Sequence, residues 1–339
     1  MSNNKLLLIG DHFISAELMR SKIDHLSSGY TIHEASTPFP LEPFRNIAEV
    51  REASGSEEQM IDALQGASIC IAHHAPLTQH VLSHTPDLRL FIVCRGGPVN
   101  VNLNAATASG VIVGYTPGRN ATATAEYSIA MLLAAIRSIP QTDAALRKGQ
   151  WKGDYTWETA GFELESSTVG LVGYGAVGRL VAQALRAFGA KVLVYDPFVT
   201  STDTEQVEQV SLLELLSRSD VVSLHARDTQ GTRGMIGEKE IALMKKGSVL
   251  VNCARGSLLD YNALADALRS NHLFAAAADV FPEEPLSPVS ELLSFPNFVA
   301  TPHVAGGTRQ AAEKAAGIAA EELERYLSGK PLRFCANPR

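Results

Sequence analysis

The stretch Val169-Gly-Leu-Val-Gly173-Tyr-Gly175-Ala-Val-Gly178 decides the fold of the central part of this chain. Its glycines Gly173, Gly175 and Gly178 form the pattern G-x-G-x-x-G, which follows a short apolar run and precedes a segment with helical periodicity. In that context the first glycine permits a tight turn, the second admits a pyrophosphate and the third allows helix and strand to pack closely. We therefore predict a βαβ unit that binds a dinucleotide.

A carboxylate further along the chain supports this prediction. Asp196 ends the next apolar run, Lys191–Tyr195, at the position where such folds place an acid on the ribose. A carboxylate accepts hydrogen bonds from the ribose hydroxyls and repels a 2′-phosphate, and no Arg or Lys follows through Gln209, so NAD is favoured over NADP. Ala176 and Val177 would begin the helix whose amides bind the phosphates. A glycine-rich turn without a ligand is the alternative.

Short apolar runs alternate with helical segments on both sides of this turn, which predicts an α/β chain with parallel sheets. In the N-terminal part, the predicted strands are Lys5–Ile9, Ala67–Ala72, Leu90–Cys94 and Val111–Val113, with a helix over Ile14–His25. In the central part, the predicted strands are Thr168–Val172, Lys191–Tyr195, Val221–His225, Ser248–Asn252, Ala275–Val280 and Phe298–Thr301. Helices are predicted there over Val177–Phe188, Ser211–Ser217, Ile241–Lys245 and Leu258–Ser270.

Two long helical segments set the predicted domain organisation. Ala121–Ser138 is rich in Ala and Leu and contains neither Gly nor Pro, so it predicts a buried helix that Pro140 stops or kinks. Arg309–Leu327 is predicted to return to the first domain. The predicted domains are therefore 1–117 plus 307–339, which the family resemblance given below implies to be the substrate domain, and 118–306, which contains the dinucleotide turn and is predicted to bind NAD.

Composition excludes several classes of protein. The 339 residues carry a net charge of −7, which disfavours nucleic acid as a partner, and 45% apolar with 19% charged residues is an ordinary globular balance. The N-terminus lacks the apolar length of a secretory signal or a membrane span. Cys70, Cys94, Cys253 and Cys335 form no CxxC pair, so a reducing cytoplasm is the expected location.

Three segments that each follow a predicted strand contain the candidate catalytic residues: Asn252-Cys-Ala-Arg255-Gly256, Asp279-Val-Phe-Pro-Glu-Glu284-Pro285 and Thr301-Pro-His303-Val-Ala-Gly306. The carboxyl ends of parallel strands lie at one edge of a sheet, so Arg255, Glu284 and His303 are expected near one another. Arg binds a carboxylate bidentately, His exchanges a proton with a hydroxyl or carbonyl, and a carboxylate beside His stabilises the imidazolium. Taken singly, each could instead be a surface or structural residue.

The segments GLVGYGAVGR, VYDP, MKKGSVLVNCARGSLLDYNAL, DVFPEEP and TPHVAG resemble those of the D-isomer-specific 2-hydroxyacid dehydrogenases of the 3-phosphoglycerate dehydrogenase type. This resemblance covers nearly the whole chain. It implies two Rossmann-like domains, a flavodoxin-like substrate domain and a dinucleotide-binding Rossmann domain, with the active site in the cleft. It also implies that Arg255 binds the substrate carboxylate and carbonyl, that Glu284 orients and charges the ring, and that His303 is the acid/base.

The resemblance implies further roles. Ala226, Cys253, Asp279 and Gly306 are expected to line the cofactor. Asp279 lies near the nicotinamide carboxamide in the family, and Gly306 ends the last matching segment. Members of this family are usually dimers, built partly from the helix predicted over Ala121–Ser138. The implied activity is hydride transfer between NAD(H) and a D-2-hydroxy acid, with no metal.

The predicted substrate loop departs from the family pattern. Arg95-Gly-Gly-Pro-Val-Asn-Val-Asn102 stands where relatives have R-x-G-x-G-x-D-N-x-D, and Pro98 removes one N–H donor. Gly96 and Gly97 are expected to bind an anion through their amides, and His73 and His74 are expected to hydrogen-bond substrate hydroxyls or a second anion. We therefore predict a C3–C5 2-hydroxy acid as substrate, with 3-phosphoglycerate dehydrogenase and glyoxylate or hydroxypyruvate reductase as alternatives.

Three other interpretations stay open. His80 and His84 have helical i, i+4 spacing, for which a solvated helix face is the simpler interpretation and a metal site the alternative. Trp151 and Trp157 flank Gly153-Asp154, where loop packing is the expected role and a lid over substrate the alternative. Some relatives of this fold are NAD(H)-sensing corepressors. The expected end of the chain at Arg339, without a long disordered tail, argues against that class.

Overall fold

Two parallel sheets, each flanked by helices, organise the chain. The structure is a computed structural model, and it describes residues 4–151, 156–199 and 206–338. The chain divides into two units, one of Met1–Asn120 with Gly307–Arg339 and one of Ala121–Gly306. The first boundary lies at the start of a long helix, whereas the predicted boundary lay at residues 117–118. The substrate and NAD roles of the two domains stay a prediction.

The first unit contains a five-stranded sheet in the order β2-β1-β5-β6-β7. Its elements in chain order are β1 Lys5–Gly10, α1 Ala16–Ile23, β2 Thr31–Ser36, β3 Arg45–Ile47, β4 Val50–Ala53, α2 Glu57–Leu64, β5 Ala67–Ala72, α3 Gln79–Ser83, β6 Leu90–Val93, α4 Leu103–Ala108 and β7 Ile112–Tyr115. All neighbours in this sheet are parallel, and counting only its strands the order is 2-1-3-4-5. This order is the flavodoxin-like one.

Strand β1 shows why the first sheet forms from apolar runs. Leu7 and Ile9 pack into one apolar cluster, whereas Leu6 and Leu8 pack into the other. Successive side chains of a strand point to opposite faces, so a strand buried on both faces is apolar throughout. Edge strand β2 (TIHEAS) has no fully buried residue, and sequence analysis did not predict it.

The second unit contains a seven-stranded sheet in the order β10-β9-β8-β11-β12-β13-β14. Its elements are α5 Ala121–Ile136, α6 Ile139–Arg147, β8 Thr168–Val172, α7 Ala176–Ala187, β9 Lys191–Tyr195, β10 Val207–Gln209, α8 Leu212–Arg218, β11 Val221–Leu224, α9 Glu238–Leu243, β12 Ser248–Asn252, α10 Tyr261–Arg269, β13 Leu273–Ala278 and β14 Phe298–Ala300. The order begins 3-2-1-4-5-6 when these strands are counted from β8, which is the Rossmann order. The predicted pair of Rossmann-like domains is therefore confirmed as a fold. The last helix, α11 Arg309–Leu327, belongs to the first unit, where it packs against α1.

Two predicted helices have different bounds in the structure. The helix predicted to continue to Ser138 ends at Ile136, because Ser138 adopts φ 51° and Pro140 occupies the first turn of α6. Proline fits that position because its missing N–H has no helical partner there. The helix predicted from Leu258 begins only at Tyr261, since Asp260 caps it by accepting hydrogen bonds from Asn262 N and Ala263 N.

Trp151 and Trp157 are exposed to solvent, whereas they were expected to pack within a loop. Trp151 is 92% exposed and Trp157 is 93% exposed, so the prediction that both pack within the loop is wrong. Gly153 and Asp154, which they flank, lie outside the described residues.

Within residues 4–151, 156–199 and 206–338, no helix combines the length and apolar composition needed to cross a membrane.

Candidate active site

The glycine-rich turn joins β8 to α7 in the second unit. Gly173 has φ 104°, and an added Cβ there would lie 2.7 Å from Ala226 N. A Cβ on Gly178 would lie 2.3 Å from Gly173 O, whereas one on Gly175 would meet nothing within 4 Å. Gly173 and Gly178 are therefore required by local packing. Gly175 leaves space beside the N-terminus of α7, where unpaired amides attract phosphate.

Asp196 connects the end of β9 to this turn. Its Oδ2 accepts a hydrogen bond from Tyr174 N at 2.8 Å, and its Oδ1 accepts one from Phe198 N at 2.9 Å. The carboxylate is partly exposed, and each oxygen retains a second lone pair. The arrangement fits a group that receives ribose hydroxyls next to a phosphate-binding turn. Its role in binding the ribose stays a prediction.

Arg255 lies in the loop that follows β12. The fully buried Asn252 shapes this loop, because its Oδ1 accepts from Ala254 N at 3.1 Å and its Nδ2 donates to Arg255 O at 2.9 Å. The Arg255 side chain is partly exposed, and its Nη1 donates to Ala254 O at 2.7 Å. A Cβ on Gly256 would lie 2.0 Å from the carbonyl carbon of Phe281, so this loop contacts the backbone of the loop after β13.

Glu284 and His303 form a close pair. Glu284 Oε2 lies 2.7 Å from His303 Nδ1, and Glu284 Oε1 accepts a hydrogen bond from Phe281 N at 2.8 Å. The two side chains are 18% and 23% exposed, so water screens the pair only in part. Because Nδ1 faces the carboxylate, Nε2 is the ring nitrogen oriented away from it. The predicted pairing of this acid with this histidine is thus present in the geometry, although the catalytic roles stay a prediction.

Asp279 fixes the loop that contains His303. Its Oδ1 accepts hydrogen bonds from Thr301 Oγ1 at 2.6 Å and Val304 N at 3.0 Å, and its Oδ2 accepts one from Ala305 N at 2.8 Å. Burial raises the pKa of Asp279, and these hydrogen bonds oppose that effect. His303 N also donates to Asp279 O at 2.8 Å. The sequence predicted Asp279 only as a cofactor residue, which stays a prediction, and did not indicate its contribution to the loop.

The remaining predicted cofactor residues lie at the same edge of the sheet or directly beside it. Cys253 follows β12 and is 4% exposed, and burial raises the pKa of its thiol to about 12. Ala226 follows β11, where its amide nitrogen approaches Gly173. Gly306 closes the His303 loop and is the last residue of the second unit. Ala176 and Val177 are the first two residues of α7.

In the first unit, the predicted residues His73 and His74 are buried, with 1% and 5% exposure. His73 Nδ1 lies 2.6 Å from Asp11 Oδ2, and these two residues follow β5 and β1. The order of the sheet reverses between β1 and β5, which is where open α/β sheets bind ligands. Burial raises the pKa of Asp11 to about 6 and lowers the pKa of His73 well below its usual value.

Arg95 and the loop after it complete this region. Arg95 forms an ion pair with Glu52 and places Nη1 2.8 Å from His74 Nδ1. Gly96 is exposed and Gly97 partly exposed, and a Cβ on either would meet nothing within 4 Å. Their amides are thus accessible to an anion, whereas the two histidines are enclosed. Contact of these four residues with substrate stays a prediction, and sequence analysis missed Asp11 and Glu52.

The other histidine pair gives no support for a metal site. The rings of His80 and His84 have centroids 4.5 Å apart, and both side chains are exposed, His80 within α3 and His84 directly after it. Among the residues described, no group of three or more His, Cys, Asp or Glu side chains could hold a metal ion. The absence of a metal from the reaction stays a prediction.

Comparison with known proteins identifies the family. Residues 129–305 match the model of the D-isomer specific 2-hydroxyacid dehydrogenase, NAD binding domain. The chain is 36% identical to D-3-phosphoglycerate dehydrogenase of Archaeoglobus fulgidus over 85% of this chain and 55% of the relative. It is 35% identical to glyoxylate reductase of Aeropyrum pernix over 94% of this chain and 93% of that one. The crystal structure of the TT0316 protein from Thermus thermophilus superposes with a TM-score of 0.83 at 30% identity, covering 98% of this chain and 99% of that one.

The fold and the match over residues 129–305 define an NAD-binding α/β protein. More particularly, the chain belongs to the D-isomer-specific 2-hydroxyacid dehydrogenase family, and the predicted resemblance is confirmed. The matched region is the NAD-binding domain of that family and coincides with most of the second unit. The chain spans about half the length of the phosphoglycerate dehydrogenases that it matches.

Proposed function

We propose that this chain is a dehydrogenase that transfers a hydride between NAD(H) and a small D-2-hydroxy acid or its 2-oxo acid. The single observation that supports this most strongly is the 2.7 Å contact between Glu284 Oε2 and His303 Nδ1. This pair lies in the same unit as a glycine-rich dinucleotide turn and the Arg255 loop. An imidazole paired with a carboxylate can both accept and return a proton.

In the proposed oxidation, three residues of the second unit have separate roles. Arg255 binds the substrate carboxylate through its guanidinium, which fixes C2 and its hydroxyl. His303 Nε2 accepts the hydroxyl proton, and Glu284 stabilises the imidazolium that forms at Nδ1. When bound, NAD⁺ would supply the acceptor for the hydride of C2. In the reverse direction, protonated His303 donates its proton to the carbonyl oxygen as C2 becomes tetrahedral.

For the cofactor, we propose that the turn of Gly173, Gly175 and Gly178 binds the pyrophosphate and that Asp196 binds the ribose. The space beside Gly175 and the position of Asp196 at Tyr174 N support this assignment. Because a carboxylate at the ribose repels a 2′-phosphate, NAD is expected to bind more tightly than NADP. Asp196→Ser should narrow that difference, which titration of NADH and NADPH fluorescence measures.

For the substrate, we propose an unphosphorylated C3–C5 acid, with the Gly96 and Gly97 amides as carboxylate donors. Arg95, the nearest cation in that loop, is already paired with Glu52 and buried, which disfavours a phosphate-bearing substrate. A reductase acting on glyoxylate or hydroxypyruvate is the second candidate. The 35% identity to the Aeropyrum glyoxylate reductase over 94% of this chain supports that candidate.

A spectrophotometric panel at 340 nm tests the function. D- and L-2-hydroxy acids with NAD⁺ or NADP⁺, and the matching 2-oxo acids with NADH, are supplied to the purified protein. We expect NAD-linked turnover of a D-acid, and we expect His303→Ala to abolish turnover while NADH still binds. Exclusive activity on 3-phosphoglycerate would contradict the substrate assignment. Cofactor binding without turnover of any acid would favour the corepressor class.

We propose in addition that the chain forms a homodimer in the cytoplasm. The exposed apolar side chains of the segment after α5, which are Ile139, Leu146, Trp151 and Trp157, support an interface on this segment. These side chains are 52% to 93% exposed in a single chain, so an interface with a second copy would remove apolar surface from water. Light scattering should give twice the monomer mass, and Trp151→Ser combined with Trp157→Ser should lower it.

A further inference from the structure

Tyr261 lies at the point where the Arg255 loop meets the Glu284 loop. It is the first residue of α10 and is 7% exposed, packed among the apolar residues of the second unit. Its hydroxyl accepts a hydrogen bond from Asn252 Nδ2 at 3.2 Å and donates one to Val280 O. Burial raises the pKa of Tyr261, so the hydroxyl stays protonated and remains a donor.

The carbonyl that Tyr261 contacts belongs to the Val280–Phe281 peptide group. The N–H of the same peptide donates to Glu284 Oε1 at 2.8 Å, and Glu284 Oε2 lies 2.7 Å from His303 Nδ1. A hydrogen bond to the oxygen of a peptide group strengthens the donor at its nitrogen, because such chains polarise one another. The hydroxyl therefore acts on the carboxylate through one peptide plane.

The hydrogen bonds that lead from Tyr261 to His303 also extend in the other direction, to the Arg255 loop. Asn252 uses the same Nδ2 group to donate to Arg255 O at 2.9 Å and to Tyr261 Oη at 3.2 Å. A continuous series of hydrogen bonds thus runs from the main chain of Arg255 to the ring of His303. The backbones also touch directly here, since a Cβ on Gly256 would lie 2.0 Å from Phe281 C.

We propose that Tyr261 is a positioning residue. Its hydroxyl orients the Val280–Phe281 peptide, and this peptide holds Glu284 against His303. Through Asn252, the same hydroxyl is also connected to the Arg255 loop. This inference rests on the proposed roles of Arg255, Glu284 and His303. Tyr261 itself does not touch the reacting atoms. Phenylalanine would fill the same apolar volume, so the hydroxyl can be removed while the packing of α10 is retained.

The test is a double-mutant cycle with Tyr261→Phe and Glu284→Ala. In the wild-type background, Tyr261→Phe should lower kcat by roughly threefold to tenfold, the loss typical of one buried hydrogen bond. The loss should appear in kcat rather than in the KM for the acid, while NADH affinity stays unchanged. In the Glu284→Ala background the same change should have no further effect, because the residue acts through Glu284. An equal fold-loss in both backgrounds, or an unchanged kcat in the wild-type background, would overturn the proposal.

A second readout separates this proposal from the proposed function. Hydrogen–deuterium exchange of the Phe281 amide should rise in Tyr261→Phe, and it can be measured whether or not any acid is turned over. Tyr326→Phe is the matched control, since Tyr326 is a half-buried tyrosine on α11 in the first unit. An unchanged Phe281 exchange rate in Tyr261→Phe would overturn the positioning role. A wild-type chain inactive on every acid would refute the proposed function alone.

Discussion

Replacing Gly175 and Gly178 by alanine, one at a time, should give opposite phenotypes from the same added methyl group. Gly175 has φ −82° and ψ −155°, an extended conformation that alanine adopts, and its Cβ would meet no atom within 4 Å. The Cβ of Gly178 would instead lie 2.3 Å from Gly173 O, a backbone atom that cannot rotate away. The first substitution should therefore affect the ligand, and the second should affect the fold.

The magnitudes follow from these contacts. At Gly175, reduced freedom of the unfolded chain should stabilise the protein by about 0.4–1 kcal/mol. The methyl should weaken pyrophosphate binding by about 1–3 kcal/mol, the usual cost of an extra methyl in a filled site, which is roughly 5- to 150-fold in Kd. At Gly178, overpacking against the main chain should cost about 1–3 kcal/mol. Better helix propensity should offset at most about 1 kcal/mol of this loss.

Two measurements on each variant test the predicted effects on binding and on stability. NADH binding is followed by fluorescence titration, and stability is followed by thermal unfolding without cofactor. We expect Gly175→Ala to retain or raise Tm while losing NADH affinity, and Gly178→Ala to lower Tm. If Gly175→Ala bound NADH as tightly as the wild-type chain, the space beside Gly175 would not be the pyrophosphate site.

Glu284→Gln should lower the kcat of oxidation by about tenfold or more, because a neutral amide no longer stabilises the imidazolium that forms on His303 during the reaction; a kcat equal to that of the wild-type chain would contradict the pairing. Gly97→Ala should raise the substrate KM roughly tenfold at unchanged Tm, since its Cβ meets no protein atom within 4 Å; steady-state kinetics that show an unchanged KM would remove the loop from the substrate site. Burial raises the pKa of Cys253 to about 12, so a thiol reagent at mildly alkaline pH should modify the half-buried Cys335 first and Cys253 only after unfolding, as mass spectrometry of labelled peptides can show.

The strands whose first and last residues were predicted correctly are those with buried apolar runs. β5, β8, β9 and β12 have the predicted bounds because long runs of β-branched and small apolar residues occur there between turn residues. The edge strands β2 and β10 were missed because exposed edge positions accept polar side chains, so no apolar run or alternation distinguishes them from loops.

In the candidate site too, residues that belong to a local sequence pattern were predicted, and residues whose partners are distant in sequence were missed. Arg255, Glu284 and His303 were predicted because each belongs to a short segment with a recognisable pattern. Asp11 and Tyr261 were missed because their partners, His73 and Val280, are distant in sequence and become neighbours only in the folded sheet. Single-sequence patterns encode which residue follows a strand, but they do not encode which two strands are adjacent.

The division of the chain into units has a consequence for recombination between related enzymes. All residues proposed for proton transfer and for the dinucleotide lie in one continuous segment, Ala121–Gly306, whereas the first unit is assembled from two segments. A chimera that exchanges only the N-terminal segment would leave α1 packed on a mismatched α11, since these two helices contact each other. Crossovers at Asn120 and Gly306 together would transfer the whole first unit as one module, with its candidate substrate residues, and leave the acid/base pair in its original context.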